Sequence, residues 1–290
     1  MSRTRLYELR TAFLRDKTGY SPEPSGGDRR SPWPARVDSL LEVFLPLQDP
    51  PIHQWWRAPD KQILLLTVDD HSGRNVAGRF VTADTTWNHF CHFRFLFETH
   101  GLPEIIYTDG LSLFGPSSSN DRSDPKSEFQ RALRALGVAH LVAPTPQAKG
   151  KVERRFGTLQ RRLVTLFAHA KVSTPEHADE ILQMEIGRQD RTVNRSTGIA
   201  PLAAWDQDLL ANTGRIRLTP ASSLLDLHFS LRSQRKVNND QTIDFEGRNY
   251  EIATTAKKSV TIIQHPNHKF WVVEHPPKNV WPPILGTFGL

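Results

Sequence analysis

The chain has 290 residues, of which 38% are hydrophobic and 23% charged, enough for one large domain with an appendage or for two domains, and unlike a disordered chain. Its formal net charge is +6 and its pI is near 9.6, a balance that attracts polyanions. No apolar run reaches the length of a membrane span, the N-terminus has basic residues without an apolar leader core, and the one cysteine, Cys91, excludes an intramolecular disulfide or a cysteine-rich zinc finger.

Taken in chain order, residues 4–17 carry Leu6, Leu9 and Phe13 at helical spacing before Gly19, which predicts one short helix. Residues 21–36 are rich in Pro, Gly, Ser and Arg and read as a linker. Strands are expected at 41–48, 62–68 and 76–81. A helix follows over 85–100, with Trp87, Phe90, Phe93 and Phe97 on one face. Strand 104–108, a turn-rich stretch at 115–125, helix 129–136 and strand 139–143 come next. A long helix over 148–171 and another over 175–194, capped by Ser173 or Thr174, complete this part. Three sequential strands with short connections suggest an antiparallel meander, and the later crossovers suggest parallel additions.

The tail has a different pattern. Between 231 and 274 short apolar segments alternate with turn sequences such as Glu246-Gly247-Arg248, which predicts five strands of a small β-barrel. Phe245, Tyr250, Phe270 and Trp271 are its expected core, while Arg232, Arg235, Lys236, Lys257 and Lys258 can touch DNA. Residues 276–283 are proline-rich and expected to be extended. The boundaries are therefore an N-terminal helix and basic linker (1–36), a core (37–205), a second linker (206–228) and the small barrel with its tail (229–290).

The positive charge is focused. Between 146 and 171 there are seven basic residues, Lys149, Lys151, Arg154, Arg155, Arg161, Arg162 and Lys171, against one acid, Glu153, a local balance equal to the net charge of the whole chain. On a helix, Val152, Phe156, Leu159 and Leu163 take the core face and leave much of the basic set outward, suited to a phosphate backbone. A solvated basic helix face is the competing reading.

Three carboxylates stand where they can do chemistry. Asp109 ends the strand Ile105-Ile106-Tyr107-Thr108, where an open α/β sheet exposes side chains to a ligand. Glu153 opens the basic helix. Asp49 ends the first strand, beside His53, Trp55 and Trp56. If the first and fourth strands are neighbours, these acids converge, and three oxygen ligands favour Mg²⁺ or Mn²⁺. Such a cluster can stabilise the attacking and leaving oxygens of an in-line phosphodiester displacement. Asp69 and Asp70 end the second strand, at the opposite edge of the sheet, and are read as turn-forming. His89, Cys91 and His92 are read as packing residues rather than a metal site.

The block from Gln147 to Gln160 (QAKGKVERRFGTLQ) resembles the third-acid block of insertion-sequence DDE transposases with a retroviral-integrase-like catalytic core. Tyr107-Thr108-Asp109 through Phe114 is similar to their second-acid block. Asp49, with His four and Trp six residues later, is similar to the first. Thr197-Gly198-Ile199-Ala200-Pro201 resembles the segment closing that core, and 234–250 resembles the terminal barrel of the same group. The resemblance implies a ribonuclease-H-like mixed-sheet core followed by a small SH3-like barrel, with Asp49, Asp109 and Glu153 as catalytic and metal-binding triad. It also implies Mg²⁺ or Mn²⁺ as cofactor, DNA ends and target DNA as partners, and a homo-oligomer. Lys149, Lys151, Arg154, Arg155, Arg161 and Arg162 are the expected DNA-binding set. Water would free a 3′-hydroxyl at the element end, and that hydroxyl would attack target DNA.

Two features depart from the pattern. Pro50 and Pro51 follow Asp49 and remove two ladder donors. One helix and a linker precede the core, where relatives carry a helix-turn-helix, which reads as a truncated or decayed copy. A non-catalytic DNA-binding remnant is therefore the alternative, and a plain structure-directed nuclease is a third.

Overall fold

The structure, a computed structural model, describes residues 40–44, 55–56, 62–108, 127–142, 150–195, 197–211, 216, 221–252, 259–265, 269–274 and 286–289. The predicted helix at 4–17, the linker at 21–36, the turn-rich stretch at 115–125 and the extended run at 276–283 lie outside them.

Five strands form the core sheet: β1 (Leu40–Phe44), β2 (Ile63–Asp69), β3 (Asn75–Val81), β4 (Ile105–Thr108) and β5 (Ala139–Val142), in spatial order β3-β2-β1-β4-β5. β1 pairs antiparallel with β2, with Leu41 opposite Asp69, and β2 pairs antiparallel with β3. β1 pairs parallel with β4, with Glu42 opposite Tyr107, and β4 pairs parallel with β5. The anticipated meander with two parallel additions is thus observed, and the core is a mixed α/β layer.

Each face of β2 carries its own apolar set because side chains alternate along a strand. Ile63 and Leu65 face a cluster with Phe90, Phe93 and Phe97 of α1 (Thr86–His100) and Phe129 and Leu133 of α2 (Glu128–Ala135). Leu64, Leu66 and Val68 face a second cluster with Leu159, Leu163 and Phe167 of α3 (Gly150–Ala170) and Leu182 and Ile186 of α4 (Pro175–Arg191). The helix starts follow capping chemistry. Thr85 accepts from the Asn88 N–H, Ser127 from the Gln130 N–H, and Thr174, with Pro175 at the first helical position, from the His177 N–H. Among the described residues no helix is long and apolar enough to cross a membrane.

Two helices fall where the sequence reading put the end of the core and a linker: α5 (Pro201–Leu210) and α6 (Ser222–His228). Each starts on an alanine, Ala200 or Ala221, with no side-chain cap, although α5 keeps Pro201 at its first helical position. Burial explains why they form. Trp205, Leu225 and the following Phe229 join the cluster under α1.

The C-terminal part carries the five strands expected between 231 and 274, and a further strand, β11, follows at 286–289. β6 (Leu231–Lys236), β9 (Ser259–Gln264), β10 (Lys269–Val273) and β11 (Gly286–Gly289) form one antiparallel sheet in the order β11-β10-β9-β6. β7 (Thr242–Phe245) and β8 (Arg248–Glu251) form a separate hairpin. Its turn, Glu246-Gly247, has both φ angles positive at 49° and 73°, as a two-residue turn between twisted strands requires. The hairpin shares one core with the sheet through Ile243, Phe245, Val260, Ile262, Phe270 and Val272, with Tyr250 packed against it. Trp271 departs from the expected core. It lies on the other face, with Ile263, Val273 and Leu227 of α6.

Candidate functional site

The sheet sets the frame. Because β1 and β4 are parallel neighbours, their C-terminal ends open on the same edge. Asp109 follows Thr108, the last residue of β4, and Asp49 lies five positions beyond Phe44, the last residue of β1. Both acids lie outside the described residues. Glu153 is the fourth residue of α3, and its backbone is helical. The opposite edge holds the β2–β3 turn. There the Asp69 carboxylate accepts from the Ser72 N–H at 2.7 Å and hydroxyl at 2.6 Å, and the Asp69 carbonyl accepts from the Gly73 N–H at 2.9 Å. Asp69 is a turn former, as expected from the antiparallel pairing.

The segment following Asp49 is tied to the helix bearing Glu153. Trp55, 3% exposed, meets Phe80 edge-on at 5.1 Å and Phe156 at 5.6 Å between ring centroids. Trp56 meets Phe80 at 5.2 Å and Phe167 at 5.6 Å. The Gln62 side chain closes this segment onto the start of β2. Its Oε1 accepts from the Trp56 N–H and its Nε2 donates to the Trp56 carbonyl, both at 3.1 Å. Edge-to-face rings at these separations add to the gain from apolar burial. The two tryptophans are therefore core residues joining β3 to α3.

The basic helix divides its charges. Leu159 and Leu163 are buried and Phe156 packs beside them, which matches the predicted core face. The Lys149 position lies outside the described residues, as do the side chains of Lys151, Val152 and Arg154. Arg161 is exposed. Arg162 donates from Nε to Glu185 Oε2 at 2.6 Å. Arg188 donates to both oxygens of the same carboxylate, at 2.8 and 2.6 Å, and Gln189 donates at 3.1 Å. Burial pushes the Glu185 carboxyl up, but the bonds from Arg188, Arg162 and Gln189 outweigh it and hold it below the usual range. Arg155 is half-buried, and burial pushes its guanidinium down against the opposing pull of Asp190. Two of the six residues expected to face DNA are thus engaged with other parts of the protein.

Several polar residues near the sheet escaped the sequence reading. His140 of β5 places Nε2 2.8 Å from the hydroxyl of Thr108, the residue before Asp109. The one available signal was a polar residue inside an apolar strand. Asp190, 4% exposed, accepts from the Asn75 N–H at 3.2 Å and from Arg74 Nε at 3.4 Å, joining the end of α4 to the start of β3. His92 is buried with Nε2 2.7 Å from the Thr67 hydroxyl, while His89 meets Asp84 at 2.9 Å. These two histidines of α1 serve packing and local bonding. Among the described residues no group of three or more His, Cys, Asp or Glu is placed to hold a metal ion.

No family model matches the chain. By sequence it is 28% identical over 242 residues to the transposase for insertion sequence IS1202 of Streptococcus pneumoniae, a match covering 82% of this chain and 48% of that protein. It is also 28% identical over 196 residues to a Sinorhizobium fredii protein provisionally named transposase y4bF, covering 67% of this chain and 40% of that one. The chain thus spans about half the length, or less, of the curated relatives it matches. By structure it is similar to the catalytic core domain of BIV integrase, with TM-score 0.44 and 16% identity over 60% of this chain and 97% of that one. It is also similar to a chain of a simian T-cell lymphotropic virus intasome in complex with PP2A regulatory subunit B56 gamma, with TM-score 0.47 and 16% identity over 90% and 84%. The resemblance to insertion-sequence transposases therefore holds across most of the sequence.

Proposed function

We propose that this chain catalyses divalent-metal-dependent DNA cleavage and strand transfer, with Asp49, Asp109 and Glu153 as its acidic triad. The observation that carries this reading is the parallel pairing of β1 with β4, the strands that precede Asp49 and Asp109 in the chain. Trp55, six residues after Asp49, packs on Phe156, three residues after Glu153. The sequence similarity to transposases gives independent support.

Three carboxylates suit a hard cation, so Mg²⁺ or Mn²⁺ held by Asp49, Asp109 and Glu153 would supply charge stabilisation for phosphodiester displacement. The chain's own basic residues position the DNA. Lys149, Lys151, Arg154 and Arg161 supply phosphate contacts without reading sequence, while Arg155 and Arg162 hold α3 in place. In the first reaction a water oxygen bonds to phosphorus, the bond to the 3′ oxygen breaks, and that oxygen takes up a proton. In the second, the freed 3′-hydroxyl bonds to a target phosphorus and displaces the target's own 3′ oxygen. On this reading 37–205 is a ribonuclease-H-like core, 206–228 joins it to a terminal unit, and 229–290 is an SH3-like barrel. The N-terminal stretch 1–36 is a helix and basic linker. The acting form is a cytoplasmic, nucleoid-associated homo-oligomer that pairs two DNA ends.

The test is Mn²⁺ titration by calorimetry with nicking of supercoiled plasmid DNA, on wild type and on Asp49→Asn, Asp109→Asn and Glu153→Gln. Each substitution is expected to weaken ion binding and to abolish nicking while DNA binding survives. Pro50 and Pro51 favour a second reading, a DNA-binding remnant without a competent triad. Unchanged ion binding in all three variants, with DNA still bound, would select that reading and reject the first.

A further inference from the structure

We infer that Arg155 is a positioning residue that fixes the rotation of α3 by docking on the β2–β3 turn, and is not a phosphate contact. The inference rests on the reading of Glu153 as a site residue, two positions earlier on the same helix. Gly73 shows where the arginine sits. A Cβ added at Gly73 would lie 2.6 Å from Arg155 Nη2, 3.6 Å from Cζ and 3.7 Å from Nε. The guanidinium therefore lies directly against the face of the turn that a side chain would occupy. Gly73 has φ +71°, a conformation that independently favours glycine.

The turn is a firm support. Besides the Asp69 bonds, the Asp69 N–H donates to the Arg74 carbonyl at 2.8 Å and the Arg74 N–H donates to Ser72 Oγ at 3.1 Å. Two helices brace it from outside. His71 Nε2 lies 3.2 Å from Asp208 of α5, and the Arg74 guanidinium stacks over Trp205 of α5 at 5.1 Å. Asp190 at the end of α4 binds Asn75 and Arg74 and faces Arg155 with its negative charge. Arg155 thus meets the turn at the point that α4 and α5 brace.

Helix geometry shows what this docking controls. At about 100° per residue, positions 155 and 156 lie roughly 100° apart around the axis, and position 153 lies about 60° from 156 on its far side from 155. Arg155 lies against Gly73 and Phe156 against Trp55. Two anchors on different sides of the helix fix its roll. A roll of about 10° moves a group about 5–6 Å from the axis by roughly 1 Å, and a misplacement of that size costs about 100-fold in rate.

The test compares wild type with Arg155→Met, which keeps an apolar stem without the charge, with Arg155→Lys, and with Gly73→Ala, which displaces the guanidinium from the turn side. Three readouts are taken: amide hydrogen exchange at 154–158, the salt dependence of DNA binding, and Mn²⁺-dependent nicking. Arg155→Met and Gly73→Ala are expected to exchange at least ten-fold faster at 154–158 than wild type. Their salt slopes should match wild type, and nicking per folded molecule should fall about 100-fold at unchanged DNA affinity. Arg155→Lys should recover part of both losses. Wild-type exchange in Arg155→Met, together with a salt slope reduced by about one, would make Arg155 a phosphate contact and overturn the inference. If wild type itself binds no ion and nicks no DNA, the proposed function fails, while the exchange readout still decides whether Arg155 anchors the helix.

Discussion

The packing of Trp55 on Phe156 can be tested without any assumption about chemistry, through a double-mutant cycle of Trp55→Ala and Phe156→Ala. Trp55 is 3% exposed and meets two rings edge-on, Phe80 and Phe156. Truncating a buried Trp to Ala costs about 3–5 kcal/mol through lost burial and the cavity left behind. Each edge-to-face pair contributes about 0.5–1.5 kcal/mol beyond area, so the two pairs make up roughly 1–3 kcal/mol of the loss. The single substitution should therefore lower the urea midpoint by about 1–2 M, given a slope of about 3 kcal/mol per M. The more specific quantity is the coupling between the two sites. Removing Phe156 first abolishes one of the pairs, so the two substitutions together should cost about 1 kcal/mol less than their sum. Urea unfolding is followed by far-UV circular dichroism, because fluorescence would change with the loss of a tryptophan. Trp55→Ala combined with Phe245→Ala, whose ring lies in the separate C-terminal core, is the control and should be additive within about 0.3–0.5 kcal/mol. If Trp55 and Phe156 are as additive as the control pair, the anchoring of the Trp55 segment on α3 is refuted.

Two further outcomes follow from buried titratable groups. Burial, with smaller effects of His89 and Arg79, lowers the His92 imidazole to about 3, so the folded state holds fewer protons than the unfolded state between pH 3 and 6.5. Its contribution is present above 6.5 and lost as pH falls, by up to about 5 kcal/mol over the whole window. Calorimetric melting of His92→Gln from pH 7.5 to 4.5 should show a shallower decline than wild type, and parallel curves would count against the buried neutral ring. Asp179 has the opposite sign. Burial raises its carboxyl to about 6 although it accepts from the Phe80 N–H at 2.6 Å. The folded state here holds the extra proton, so this contribution is present below 3.8 and lost as pH rises through 6. Asp179→Asn keeps an acceptor for Phe80 and should melt higher than wild type at pH 7.5, by about 1–2 kcal/mol after allowing for partial exposure, with the difference vanishing near pH 4.

The core sheet and its first helices were legible because local signals agreed there. β2 is a run of buried β-branched and leucine residues, α1 has its cap at Thr85 and its aromatic stripe in register, and α4 starts on the expected Thr174-Pro175. Legibility failed where the stabilising partner is distant in sequence. α5 and α6 have no side-chain caps and owe their place to Trp205 and Leu225 packing under α1. β11 is a four-residue segment containing two glycines, weak by propensity, and its partner strand β10 supplies the pairing. Trp271 was read into the wrong core because its face depends on strand register, and a single position moves a side chain to the other side of a sheet. At the candidate site the core face of α3, Phe156, Leu159 and Leu163, was readable from helical spacing. The bracing of that helix was not, since Gly73, Asp190 and Glu185 have no signature that points to α3.

This bracing changes how the charge of α3 should be understood. Counted along the sequence, 146–171 is one positive block equal to the net charge of the chain. In the fold it has at least two parts with different environments. Arg162 and Arg188 share the buried Glu185 carboxylate, so that cluster carries a surplus of one positive charge, and its carboxylate clamps α3 to α4. Arg155 is turned to Gly73 with Asp190 opposite. Both contacts sit on the helix that carries Glu153, but they act at different points, one at the second turn and one two turns further along. A helix gripped at two levels resists tilt as well as roll. Sequence-independent attraction of DNA requires only that enough positive charge remain outward, whereas alignment of a carboxylate on the same helix requires that some of that charge be spent on internal bonds. On the proposed function, the division of arginines on α3 meets both requirements within a single amphipathic segment.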